Sequence, residues 1–82
     1  MKDAQKIKSF LEYVLESIVE EKDKISINAI QKENILVLQV KVSKNDRGRV
    51  IGKNGKMIKS LRRLLSIFSA GTDQRIALEL LE

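Results

Sequence analysis

The segment Val50-Ile51-Gly52-Lys53-Asn54-Gly55-Lys56 holds the residues whose types and spacing best suit a chemical task. Two glycines three positions apart let the backbone turn sharply and let another molecule approach without a Cβ in the way. Gly55 leads into the N-terminus of a helix that begins near Lys56, where unsatisfied amides and the positive end of the helix dipole favour an anion. Lys53 and Lys56 bring mobile positive charge to the same spot, and Asn54 can donate a hydrogen bond while tolerating left-handed backbone angles. Ile51 adds an apolar surface just before the loop. A phosphate group suits such a loop, and holding it requires no covalent chemistry.

The charge around the loop points the same way. Residues 44–63 carry eight basic side chains (Lys44, Arg47, Arg49, Lys53, Lys56, Lys59, Arg62 and Arg63) against Asp46 alone, a local net charge of +7 in a chain whose total is +5. Residues 1–22 and the remainder are each close to neutral. A basic cluster is also what an ordinary solvated surface shows, so charge becomes informative only together with the loop it surrounds.

Other chemistries are poorly served. The chain has no Cys and no His, which removes disulfides, zinc sites built from thiolate and imidazole, the commonest general base and the most reactive nucleophile. Ser60, Ser66 and Ser69 fall on a helix without an evident base, and Glu20-Glu21 reads as a solvated helix end. Neither a catalytic residue nor a metal ligand is expected, and no cofactor is implied. A nucleotide-binding P-loop needs four residues between its glycines and a Ser or Thr after the Lys; Gly48 and Gly52 enclose three, and Asn54 follows Lys53. The aromatic residues Phe10, Tyr13 and Phe68 all fall on helices, so the strand aromatics on which an RRM sheet stacks bases are missing. The lack of cysteine suits a reducing, cytoplasmic compartment. The charges at Lys2, Asp3, Lys6, Lys8 and Glu12 do not suit a signal peptide, and the aliphatic run Ile35–Leu38 is far too short to span a bilayer.

The elements that must position the loop follow from periodicity. At 82 residues the chain has room for one hydrophobic core, and one domain over 1–82 is expected. Ile7, Phe10, Leu11, Val14, Leu15, Ile18 and Val19 recur every three or four residues, which predicts a helix from about Asp3 to Glu21. Ile25, Ile27 and Ala29 alternate with polar positions, and the polar stretch Gln31–Asn34 separates them from a second strand over Ile35–Ser43. In that strand Leu36, Leu38, Val40 and Val42 share one face and Gln39, Lys41 and Ser43 the other, implying a sheet covered on one side only. Asn45 or Asp46 is placed to cap a short helix over Arg47–Ile51, ended by Gly52. A longer helix runs from Lys56 to about Ala70 with Gly71 as its C-terminal cap, and Ile76, Leu78 and Leu80 alternate in a final strand.

With an Ile-Gly-x-x-Gly loop between two helices and the order α-β-β-α-α-β, the chain resembles the KH family of RNA-binding domains over nearly its whole length, in the type II arrangement and at the size of the small stand-alone bacterial members. The resemblance implies an α+β fold with helices on one face of a three-stranded sheet, and a loop that clamps about four nucleotides of single-stranded RNA. On that basis Gly52 and Gly55 shape the loop, Lys53, Asn54 and Lys56 meet phosphates with Arg49 and Lys59 nearby, and Ile51 with Val40 and Val42 lines the base groove. It further implies an RNA chaperone or a post-transcriptional or ribosome-associated regulator.

A protein-interaction module is the competing expectation. Met57, Ile58, Leu61, Leu64, Leu65, Ile67 and Phe68 cover more of the longer helix than a one-sided core contact needs. Leu64, Leu65 and Ile67 are the candidates for a self-association surface. The resemblance implies homodimers and pairing with a larger Jag/KhpB-type RNA-binding protein, and no membrane association.

Overall fold

The computed structural model describes residues 4–82; Asp3, the expected first residue of the opening helix, lies outside them. Helix α1 spans Ala4–Glu16. Ile7, Leu11 and Leu15, spaced by four, stack on its inner face and are at most 1% exposed. The helix stops five residues before the expected Glu21. Val19 still reaches the core through its amide bond to the Leu15 carbonyl at 3.0 Å. Another helical turn would bond the amides of Glu20 and Glu21 to the carbonyls of Glu16 and Ser17. Instead the two oxygens of the Asp46 carboxylate accept them, each at 3.0 Å.

A short 3-10 turn over Lys22–Lys24 leads to β1 (Ser26–Lys32), which pairs antiparallel with β2 (Ile35–Lys41). The connecting turn is only Glu33 and Asn34, because Gln31 and Lys32 continue the ladder opposite Leu36 and Ile35. Strand β3 (Arg75–Leu80) lies parallel to β2 on its other side, giving the order β1-β2-β3. Parallel neighbours require a crossover. Here it is built from a 3-10 turn over Lys44–Asp46, α2 (Arg47–Ile51) and α3 (Lys56–Ser66). The last turn before Gly71 tightens to 3-10 geometry over Ile67–Ser69.

Leu36, Leu38, Val40 and Val42 face the helices and are buried with Val50, Leu61, Leu65 and Leu78 in one core. Phe10 and Phe68 meet edge to face at a centroid distance of 5.3 Å, joining α1 to the end of α3. The opposite sheet face is open and carries a polar row. Asn28 donates to Gln39 at 3.4 Å, and Gln39 donates to Glu79 at 3.0 Å. The fold is therefore α+β with its sheet covered on one side. Among the described residues no helix is long and apolar enough to cross a membrane.

Candidate nucleic-acid interface

Helix α2 closes when the Gly52 amide donates to the Gly48 carbonyl at 2.8 Å. Gly52 has φ 78° and ψ 171°, a region open to little but glycine. A Cβ there would lie 2.6 Å from Met57 Cβ and 2.7 Å from the Met57 amide nitrogen. Conformation and space both demand glycine at this position. Lys53–Gly55 form one 3-10 turn, closed by the Gly55 amide on the Gly52 carbonyl at 3.1 Å. Within it Asn54 is left-handed, with φ 58° and ψ 26°, as its short polar side chain permits. Successive amides in a tight turn form a concave anion cradle, and Lys53–Gly55 is such a turn.

Gly55 is also left-handed, with φ 75° and ψ 14°. Unlike at Gly52, a Cβ added to it would meet no atom within 4 Å. The surrounding protein leaves the space over Gly55 empty, so bare backbone faces outward at the start of α3. Lys53, Asn54 and Lys56 are exposed around it, and Lys59 is exposed one turn further along α3.

Beside the loop, α2 and α3 stand off from β3 to leave a groove of about 540 Å³ whose walls include Arg47, Ile51, Ile58, Arg62, Leu78 and Leu80. Strand β3 is the sheet edge. The Arg75 and Leu81 amides donate inward to Asn34 at 2.7 Å and Val40 at 2.8 Å, so the alternate residues Ile76, Leu78 and Leu80 turn their main-chain groups outward. The Leu78 carbonyl accepts from the Arg62 guanidinium at 3.3 Å, and the Leu81 carbonyl accepts from Arg47 Nε at 3.2 Å. Each guanidinium has five N–H donors, and these bonds leave others for a ligand. The groove thus has an apolar floor with an arginine on each side of its centre.

The structure brings Ile51, Gly52, Lys53, Asn54, Gly55, Lys56 and Lys59 together, and buries Val40, Val42 and Leu65. Val40 and Val42 are 1% and 6% exposed and form no part of the wall of the groove beside the loop. That part falls to Leu78 and Leu80 on the edge strand. Arg49 is half-exposed and pairs with Glu20, and its Nε lies 3.3 Å from Asp46. Leu65 is 1% exposed and belongs to the core, whereas Leu64 and Ile67 are 40% and 66% exposed. Arg47, Ile58, Arg62, Leu78 and Leu80 are groove residues that were not expected as such. The two arginines already stand out in the local charge, and alternation assigns Leu78 and Leu80 to a one-sided strand. What was missing is the neighbour relation between that strand and the loop.

Asp46, expected as a helix cap, instead holds the base of the site to α1. It is fully buried. The amides of Glu20 and Glu21 hold its carboxyl below the ordinary value of 3.8, helped by the Ser43 hydroxyl and Arg49 and opposed by burial. Ser43 Oγ donates to the carboxylate at 3.0 Å and accepts the Asp46 amide at 3.2 Å. The start of α2 is therefore fixed relative to the turn after α1, and the Gly52–Gly55 loop at its other end inherits that position.

Two helices joined by a Gly-x-x-Gly turn and laid beside the edge of a three-stranded sheet define a KH domain. The family model described as "KhpA/KhpB, KH domain" matches residues 8–80, and the chain belongs to that family. It is 33% identical over 72 residues to a protein of Borreliella burgdorferi named RNA-binding protein KhpA, covering 88% of each chain. Proteins of the same name from Chlamydia pneumoniae and Aquifex aeolicus are each 32% identical over 76 residues, 93% of this chain and 97% and 96% of theirs.

Proposed function

We propose that this chain binds single-stranded RNA, with backbone phosphates on the Gly52-Lys53-Asn54-Gly55 loop and bases in the groove of Ile51, Ile58, Leu78 and Leu80. The observation that carries this reading is Gly55: its left-handed backbone faces empty space, between Ile51 and Ile58, which line an apolar groove with Arg47 and Arg62. A phosphate reaches amides and lysines there without displacing protein atoms. The names of the related proteins support the same activity. RNA binding of this kind serves a chaperone or post-transcriptional role in the cytoplasm and needs no catalytic group. The whole of 1–82 acts as one KH domain in this reading. Titration of the labelled protein with a short oligouridine, followed by amide NMR, tests it: shifts should concentrate at residues 51–59 and 76–80. Shifts confined to the open sheet face, around Asn28, Gln39 and Glu79, would contradict it.

A second reading concerns α3. Leu64 and Ile67 flank a shallow depression with Ser60, Arg63 and Ser66, on the helix that also opens at Gly55. This is the surface for a second copy of the chain, or for the KH domain of a larger KhpB-type protein. A dimer would set two grooves on one RNA and raise effective affinity without new contacts.

A further inference from the structure

Beyond the groove, the structure gathers four cations where the proposed RNA path would continue. Lys24 from the turn before β1, Lys41 from the end of β2, Lys44 from the next turn and Arg47 from the start of α2 line a cavity of about 570 Å³. Val42 and Ser43 complete its wall, and Glu82 supplies its one carboxylate. Among the described residues the ion pairs all involve Arg49, so no partner carboxylate lies within 4 Å of Lys24, Lys41 or Lys44. Lys24 and the stretch from Lys41 to Arg47 thus bring four cations together around the single residue Glu82, an excess of positive charge that favours an anion. Arg47 belongs to both cavities. Its Nε is fixed on the Leu81 carbonyl, which leaves its terminal N–H groups to face either side.

We infer that this cavity is a second phosphate site, taking the RNA backbone one or two nucleotides past the segment held by the loop and groove, with Arg47 bridging the two. It rests on the RNA-binding reading above and extends its footprint. Lys24, Lys41, Lys44 and Arg47 surround it, so it takes the charged backbone, and that contribution is independent of sequence.

The test compares four- and seven-nucleotide oligouridines by fluorescence anisotropy across a fourfold range of salt. The proteins are the wild type and the triple variant Lys24→Ala, Lys41→Ala, Lys44→Ala. The longer RNA offers about four registers to a four-nucleotide groove, a statistical gain that both proteins keep. In the wild type, the longer RNA should add about 0.7 to the slope of log K against log salt per extra phosphate held, or about 2.6-fold in affinity over that range. The triple variant should bind the tetranucleotide within twofold of wild type and lose the added slope. Equal slopes for short and long RNA in the wild type, or an added slope that survives in the triple variant, overturn the second site while leaving the groove intact. Failure of the wild type to bind the tetranucleotide overturns the RNA-binding reading, and the second site with it.

Discussion

The carboxylate of Asp46 accepts the main-chain amide of Glu20 at 3.0 Å, twenty-six residues away in the chain, and does the same for Glu21. These bonds tie the turn after α1 to the start of α2. Their strength depends on the carboxylate being ionised, which makes stability depend on pH. The folded-state pKa is lowered, so the stabilisation is full above the unfolded value near 3.8 and is lost as pH falls through the folded value. Asp46→Asn should lower the thermal midpoint at pH 7 by about 5–10 °C. Between pH 5 and pH 3 the wild-type midpoint should then fall towards that of the variant, as followed by circular dichroism. Parallel curves for the two proteins would show that the ionised clamp contributes nothing.

The two loop glycines should separate folding from binding. Gly52→Ala combines a glycine-only backbone with contacts of 2.6 and 2.7 Å to Met57, and should cost about 2–5 kcal/mol in urea unfolding. Gly55→Ala meets no atom and carries only left-handed strain, about 1–2 kcal/mol. The Gly55 variant should remain folded yet bind RNA at least about tenfold more weakly, because its methyl group occupies the space over the cradle, where lost phosphate contacts are worth 1–3 kcal/mol.

Groove and cradle should differ in their response to salt. Ile58→Ala trims the apolar floor and should weaken binding about fivefold, equivalent to about 1 kcal/mol of lost burial, at an unchanged salt slope. Lys53→Ala removes a phosphate partner and should reduce the slope by about 0.7. Anisotropy titrations at several salt concentrations distinguish these outcomes.

On α3 the neighbours Leu64 and Leu65 should behave oppositely. Leu65→Ala empties a core position and should cost about 2–5 kcal/mol. Ile67→Asp, on the exposed side with Leu64, should leave stability within about 0.5 kcal/mol. Light scattering at tens of micromolar should report a dimer for the wild type and a monomer for Ile67→Asp; a wild-type monomer would contradict self-association through this face.

Much of this was legible from pattern. The spacing of Ile7, Leu11 and Leu15 and the alternation of Leu36, Leu38, Val40 and Val42 mark the two halves of the core, and the two glycines mark the loop. The misreadings share one physical origin, since local pattern tells which face of an element is buried but not which element lies opposite. The family resemblance assigns Val40 and Val42, on a neighbouring strand, to the groove. Only the strand order shows that the edge beside the loop is β3. Neither glycine nor proline stands at the end of α1; the amides of Ser17 and Ile18 tighten onto Val14 and Leu15, and those of Glu20 and Glu21 go to a carboxylate distant in sequence. Asp46 sits where a cap is expected, and its buried oxygens found long-range amides instead. Leu64 and Leu65 are adjacent on a helix rich in apolar residues, and packing alone decides which is covered.

The most direct test of RNA recognition by the loop is fluorescence anisotropy of a short labelled single-stranded RNA with wild type and with the double variant Lys53→Asp, Asn54→Asp, after circular dichroism has established that the variant is folded. Both positions are exposed, so the fold should be unaffected, while two carboxylates in the cradle repel phosphate. Binding by the wild type and its loss in the folded double variant is the predicted result. Equal binding by the two proteins would contradict it and move RNA recognition away from the Gly52–Gly55 loop.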